Sequence, residues 1–218
     1  MGDGKFAGKE HKVRFELADR EQLEYVGGLV ARILGRSPKP LGRDGAFYTV
    51  DYDSVALSVF LDQDVRVLVE HLKDFIPDFL RGFFDAEGYV SCSLDAVTRR
   101  VNHMCVGVAN TNLGYLHLVN DGLKSFGLHF GLRSTNKNGQ LMTIRGKTFI
   151  RRHDVYHLYA ESTAEVRRFR ELIGFKNQTK RRKLDDLVAV ADMVPRVRFD
   201  WFVLHYEKKG RKWVKKSE

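Results

Sequence analysis

The chain has 218 residues, 43% of them hydrophobic, enough for one large core or two small ones. Lys and Arg number 37 against 28 Asp and Glu, a net charge of +9 that points to a polyanionic partner, nucleic acid first and an acidic membrane surface second. No apolar run approaches the roughly 18 residues of a membrane span, no signal-peptide pattern opens the chain, and neither Cys92 and Cys105 nor the eight His show metal-ligand spacing, so the expectation is an intracellular, non-secreted protein with reduced cysteines and no membrane partner, cytoplasmic (nucleoid-associated) or organellar.

Residues 11–17 alternate, with Val13, Phe15 and Leu17 on one face, and predict a strand. Asp19 is placed to cap a following helix whose apolar positions Leu23, Val26, Val30 and Ile33 are spaced three, four, three, with Gly35 ending it. A loop, RSPKPLGRDG, leads to a second strand, AFYTVDY, and Asp53-Ser54 can open another helix toward Leu61. VRVLVEHLKDF reads as helical, and Pro77 suits the first turn of the next helix. Beyond Gly88 the order returns: strands near 89–95 and 101–109, then a helix with Leu116, Val119, Leu123 and Phe126, again spaced three, four, three, ended by Gly127. Strands near 128–135, 140–150 and 154–160 and helices near 162–173 and 178–191 follow. The offset from Leu23 to Leu116 equals that from Ile33 to Phe126, which predicts a duplicated unit.

The stretch between the halves, Leu80-Arg81-Gly82-Phe83-Phe84-Asp85-Ala86-Glu87-Gly88, is an apolar helix that ends in a carboxylate. Carboxylates suit the positive N-terminal end of a helix, so one at the other end asks for a counter-charge. Gly82 and Ala86, four apart, share a face on which a second helix could approach closely. Asp85 is assigned a structural, capping role. At the chain start, Gly2-Asp3-Gly4 stands where Ala86-Glu87-Gly88 stands in the second half.

This stretch resembles the LAGLIDADG motif of homing endonucleases, in its variant with Glu at the eighth position. ANTNLGYLHLVNDGLKSFG and VYHLYAESTAEVRRFRELIGFKNQTKRRKL resemble the family's later strand-to-helix segments, and the likeness runs from about residue 10 to 190. The resemblance implies the archaeal or organellar intron-encoded type, a two-repeat monomer whose first motif is truncated here. It implies an α+β fold of two pseudo-symmetric αββαββα halves with saddle-shaped antiparallel sheets. The expected divisions are 1–75, 76–192 and a basic-aromatic tail, 193–218. With the first motif completed upstream a monomer is expected, and otherwise a homodimer.

The implied function is site-specific double-strand cleavage of a long DNA target, with an intron-RNA maturase or a non-cleaving DNA-binding regulator as alternatives. Asp3 and Glu87 would be the catalytic carboxylates and, with the Gly2 and Ala86 carbonyls, the ligands of Mg²⁺, for which Mn²⁺ or another divalent cation can substitute. Oxygen ligands suit such hard cations and phosphate hydrolysis. Family enzymes also carry a water-positioning Gln or Lys at a strand end. Leu17 and Ala109 are read there, neither suited to it, with Lys5 as a substitute. For DNA, the candidates are Lys5, Lys12 and Arg14 in the first half. Arg99, Arg100, Asn102, His103, Arg133, Thr135, Lys137, Arg145, Lys147, Arg151, Lys180 and Arg181 are those of the second. Arg and Asn can read base edges, while Lys and many Arg hold phosphates.

Overall fold

The protein is described by a computed structural model over residues 5–7, 12–64, 67, 70, 71, 73–144, 147–209 and 212–216. It divides into two compact units, Met1–Phe75 and Ile76–Glu218. The first unit runs β1 (Lys5–Ala7), β2 (Lys12–Leu17), α1 (Arg20–Ile33), β3 (Gly42–Asp44), β4 (Phe47–Asp53) and α2 (Val55–Leu61). Its antiparallel sheet has the order β1-β2-β4-β3. Asp19 and Ser54 cap α1 and α2, accepting from the N–H of Gln22 and Leu57 at 3.2 Å each. Leu23, Gly27, Val30 and Ala31 of α1 are buried, and the Tyr52 hydroxyl donates to the Gly27 carbonyl at 2.7 Å. Ile33, expected on the buried stripe, is 74% exposed at the end of α1.

The second unit runs α3 (Ile76–Glu87), β5 (Gly88–Asp95), β6 (Arg100–Asn110), α4 (Leu113–Ser125) and β7 (Gly131–Asn136). A hairpin, β8 (Leu141–Ile144) and β9 (Lys147–Ile150), precedes β10 (Val155–Ala160), α5 (Thr163–Leu172) and α6 (Gln178–Val190). Its four-stranded antiparallel sheet has the order β5-β6-β10-β7, the same path as in the first unit.

The ladders make the duplication specific. Val13 pairs with Tyr52 and Phe15 with Val50; Val106 pairs with Ala160 and Val108 with Leu158. Val13, Val50, Tyr52, Val106, Leu158 and Ala160 are all buried, and the helix caps Asp19 and Asn112 match as well. In this alignment β8 and β9 are an addition of the second unit. Phe6 pairs with Val13 as Val90 pairs with Val106.

The final stretch folds as α7 (Pro195–His205) and a hairpin, β11 (Tyr206–Lys209) and β12 (Lys212–Lys215). Phe202 and Tyr206 are buried with the second unit's core, and the Tyr206 hydroxyl donates to Asp186 at 2.6 Å. Arg198 donates to the carbonyls of Val190, Ala191 and Met193, capping the end of α6. The segment expected as a tail is therefore part of the second unit. Cys92 and Cys105 are buried free thiols. No helix of the described residues is long and apolar enough to cross a membrane.

Candidate functional site

Helix α3 is anchored by Leu80, Phe83 and Phe84, all buried. Phe84 is fully buried, its ring centroid 4.5 Å from that of Phe169 and 6.0 and 6.2 Å from those of Phe130 and Phe175. At Gly88 the chain leaves the helix so tightly that a Cβ would lie 2.3 Å from the Phe84 carbonyl oxygen and 3.0 Å from the Phe175 ring. A side chain there would displace the turn, which is why glycine follows Glu87. Asp85 is buried and accepts from the backbone N–H of Lys176 (3.0 and 3.2 Å) and Asn177 (3.0 Å), tying α3 to the start of α6. Burial pushes its carboxyl above the usual range, and those N–H groups, with Lys180 nearby, pull it back.

The counter-charge at the end of α3 is a protein group. The Lys180 ammonium donates to the carbonyls of Phe84 (3.3 Å), Asp85 (2.5 Å) and Ala86 (3.4 Å), where the helix dipole is negative. Lys180 thus points to the helix terminus rather than outward to the phosphate expected of it. Lys180→Met is expected to cost about 1–3 kcal/mol, seen as a lower denaturation midpoint. A phosphate-holding lysine would instead lose duplex affinity, with about one unit less salt slope, at unchanged stability.

Glu87 is half-buried at the junction of α3 and β5. The Ala86 carbonyl, expected as a metal ligand, is shared with Lys180. The donor set, a carboxylate and a carbonyl, is all oxygen and fits a hard divalent cation rather than a thiophilic one. Asp3 and Gly2 lie outside the described residues, and among the described ones no three His, Cys, Asp or Glu gather as ligands. In sequence, Glu87 is three positions before Val90, and Asp3 is three before Phe6, the residue equivalent to Val90 in the ladder. The same alignment matches Ala109 with Glu16 rather than Leu17, so a half-buried carboxylate occupies that strand position in the first unit.

Gly82 is exposed, and a Cβ there meets nothing within 4 Å among the described residues. The close helix contact expected at this glycine is not among them. Gly82→Ala is expected to stabilise by about 1 kcal/mol through helix propensity, a small rise in Tm. A fall would reveal a helix packed on that face.

The DNA candidates have varied surroundings. Lys5 is on β1, its backbone paired with Arg14. Lys12 and Arg14 both meet Asp51, at 3.1 and 2.8 Å, and Arg14 holds that carboxyl below the usual range. Arg99 is tied to Asp200 and lies over the Phe199 ring, which fixes the β5–β6 hairpin to α7. His103 occupies a bulge with φ 48°, its Nδ1 3.6 Å from Glu161. Arg100, Asn102, Thr135 and Lys137 are exposed and Arg151 is half-buried. Arg181 lines a groove of about 510 Å³ with Arg81, Arg170 and Lys176. Lys147 is on β9, and Arg145 lies outside the described residues. The sequence reading missed Tyr89, His157 and Tyr159, which neighbour Arg133 on the second sheet.

Residues 74–174, which include the acidic helix and the sheet that follows it, match the LAGLIDADG-like domain. The resemblance read from the motif is borne out over that segment. An uncharacterized protein of Methanocaldococcus jannaschii, MJ0398, is 29% identical over 143 residues, 66% of this chain and 49% of that protein. The chain thus spans about half the length of the curated relative it matches. Among solved structures, I-DmoI in complex with DNA and Mn is 16% identical, covering 74% of this chain and 80% of that one at a TM-score of 0.48. Full-length DUF199/WhiA from Thermatoga maritima is 17% identical, covering 92% and 60% at 0.49. At these scores neither likeness adds to the fold described above.

Proposed function

We propose that the protein is a site-specific DNA endonuclease of the homing type, hydrolysing phosphodiesters with a divalent cation. The reading is supported by the sequence, in which Asp3 and Glu87 each stand three positions before the equivalent strand residues Phe6 and Val90. Mg²⁺ or Mn²⁺, held by these carboxylates, would neutralise charge at the scissile phosphate and lower the pKa of the attacking water. The chain's own part is positional. Lys180 and Asp85 fix the end of α3, and the turn at Gly88 sets where Glu87 stands. Exposed Arg, Lys and Asn on strands and hairpins supply phosphate and base-edge contacts.

A second reading, a DNA-binding regulator without cleavage, is favoured by Ala109. Its side chain can neither orient water nor carry a proton. Digesting a randomised duplex library with Mg²⁺ and sequencing the ends separates the readings. Discrete ends that disappear with chelator are expected; sequence-selective binding without ends would mark the regulator. Stimulated splicing of intron RNA would mark a maturase instead.

A further inference from the structure

The first unit carries a cleft of about 550 Å³, a volume that suits a small ligand. It is lined by α1, through Gly27 and Gly28, and by the connection from α1 to β3, through Pro38 and Pro40. Tyr48 of β4 completes its apolar surface. Arg20, Lys39 and Arg43 line it too, against one carboxylate, Glu24.

Two adjacent glycines weaken the interior of a helix, so each asks for a reason. Gly27 has one in the packing. It is buried, and a Cβ there would lie 3.5 Å from the Tyr52 hydroxyl oxygen, which donates to the Gly27 carbonyl. Gly28 is half-buried, and a Cβ there meets nothing within 4 Å among the described residues. The repeat does not impose it either. With Asp19 matched to Asn112 and Leu23 to Leu116, Gly28 falls on Asp121 of α4. What glycine does at 28 is leave bare helix backbone in the cleft, a flat floor that a ring can approach closely. The prolines facing this cleft have fixed φ, so that part of its lining is set before any ligand arrives.

The charge is set as well. Arg20 is bridged to Glu24 at 2.8 Å, which leaves Lys39 and Arg43 as the excess. Lys39 lies 3.4 Å from Asp53 in an exposed pair, a weak tie that an anion can replace. Arg43 donates from Nε to the Gly45 carbonyl at 3.3 Å, and its guanidinium lies 5.8 Å over the centroid of the Tyr48 ring. Its terminal N–H groups form the fork that takes phosphate oxygens in pairs.

We propose that this cleft binds a planar ring bearing an anionic group, the chemistry of a mononucleotide, with the ring on the Gly28 floor and the phosphate on Arg43 and Lys39. A free nucleotide and the phosphorylated end of a nucleic-acid strand offer the same chemistry. The inference does not rest on the cleavage reading above.

The test is calorimetric titration of the full chain without divalent metal. The probes are the nucleoside monophosphates, their nucleosides, inorganic phosphate, and a single-stranded oligonucleotide with and without a 5′ phosphate. At least one monophosphate is expected to bind with a Kd below about 1 mM, and roughly tenfold more tightly than its nucleoside or inorganic phosphate. Gly28→Leu fills the floor without a clash, so it should abolish that binding at an unchanged or higher melting temperature. Arg43→Gln should weaken the monophosphate by roughly tenfold and leave its nucleoside unaffected. An oligonucleotide that gains affinity from its 5′ phosphate only while Gly28 is present marks the strand end as the source; no such gain marks the free nucleotide. Saturation by no monophosphate, inorganic phosphate binding as tightly as the monophosphates, or a Gly28→Leu chain that binds like wild type overturns the proposal. None of these results bears on DNA cleavage.

Discussion

Glu87→Gln is expected to reduce cleavage about 10²–10³-fold while leaving duplex affinity nearly unchanged. The substitution keeps size and removes charge, so the packing of α3, which rests on Leu80, Phe83 and Phe84, is untouched. Charge stabilisation by a bound metal is worth several kcal/mol, and about 3–4 kcal/mol of lost stabilisation corresponds to that rate change. Single-turnover cleavage of a selected duplex, measured beside affinity for the same duplex, checks it. A parallel loss of binding and cutting would assign Glu87 to the fold or the DNA interface instead.

Phe84→Ala should be the most destabilising single change in the motif helix, costing about 3–5 kcal/mol. The ring is fully buried among Phe130, Phe169 and Phe175, which come from three different segments of the second unit. Surrounding rings collapse poorly into the space left by another ring, so the cavity term adds to the lost transfer energy. For a chain of this size the melting temperature should fall by roughly 6–20 °C. Calorimetry gives the answer directly, and a shift within 2 °C would mean that this aromatic cluster does not anchor α3.

The duplication was legible because helix spacing and caps repeat together. Leu23 and Leu116 are both fully buried, and Asp19 and Asn112 both cap. The acidic helix end was legible because Gly82, Ala86 and Gly88 set it apart from a plain amphipathic helix. What defeated the sequence was the fate of the charges. Lys180 sits in a run, KRRK, that reads as phosphate-binding, and only the tertiary fold turns it onto the end of α3. Arg198 is absorbed in the same way by the end of α6. Asp51 meets Lys12 and Arg14 only through strand pairing, thirty-seven residues from Arg14 in sequence. Leu17 was matched to Ala109 by strand ends, whereas the ladder matches Glu16. The Tyr89–His157 pair depends on the gap at Gly107, and no periodicity announces that two residues so far apart will meet across a missing side chain.

The claim at the centre of the account is that Asp3 and Glu87 are equivalent carboxylates, one per repeat. Its most direct measurement is strand-resolved cleavage of the selected duplex by Asp3→Asn and Glu87→Gln, each at matched DNA occupancy with Mg²⁺. The account predicts that both variants bind and that both lose double-strand cutting. An Asp3→Asn chain that cuts both strands at the wild-type rate would contradict it.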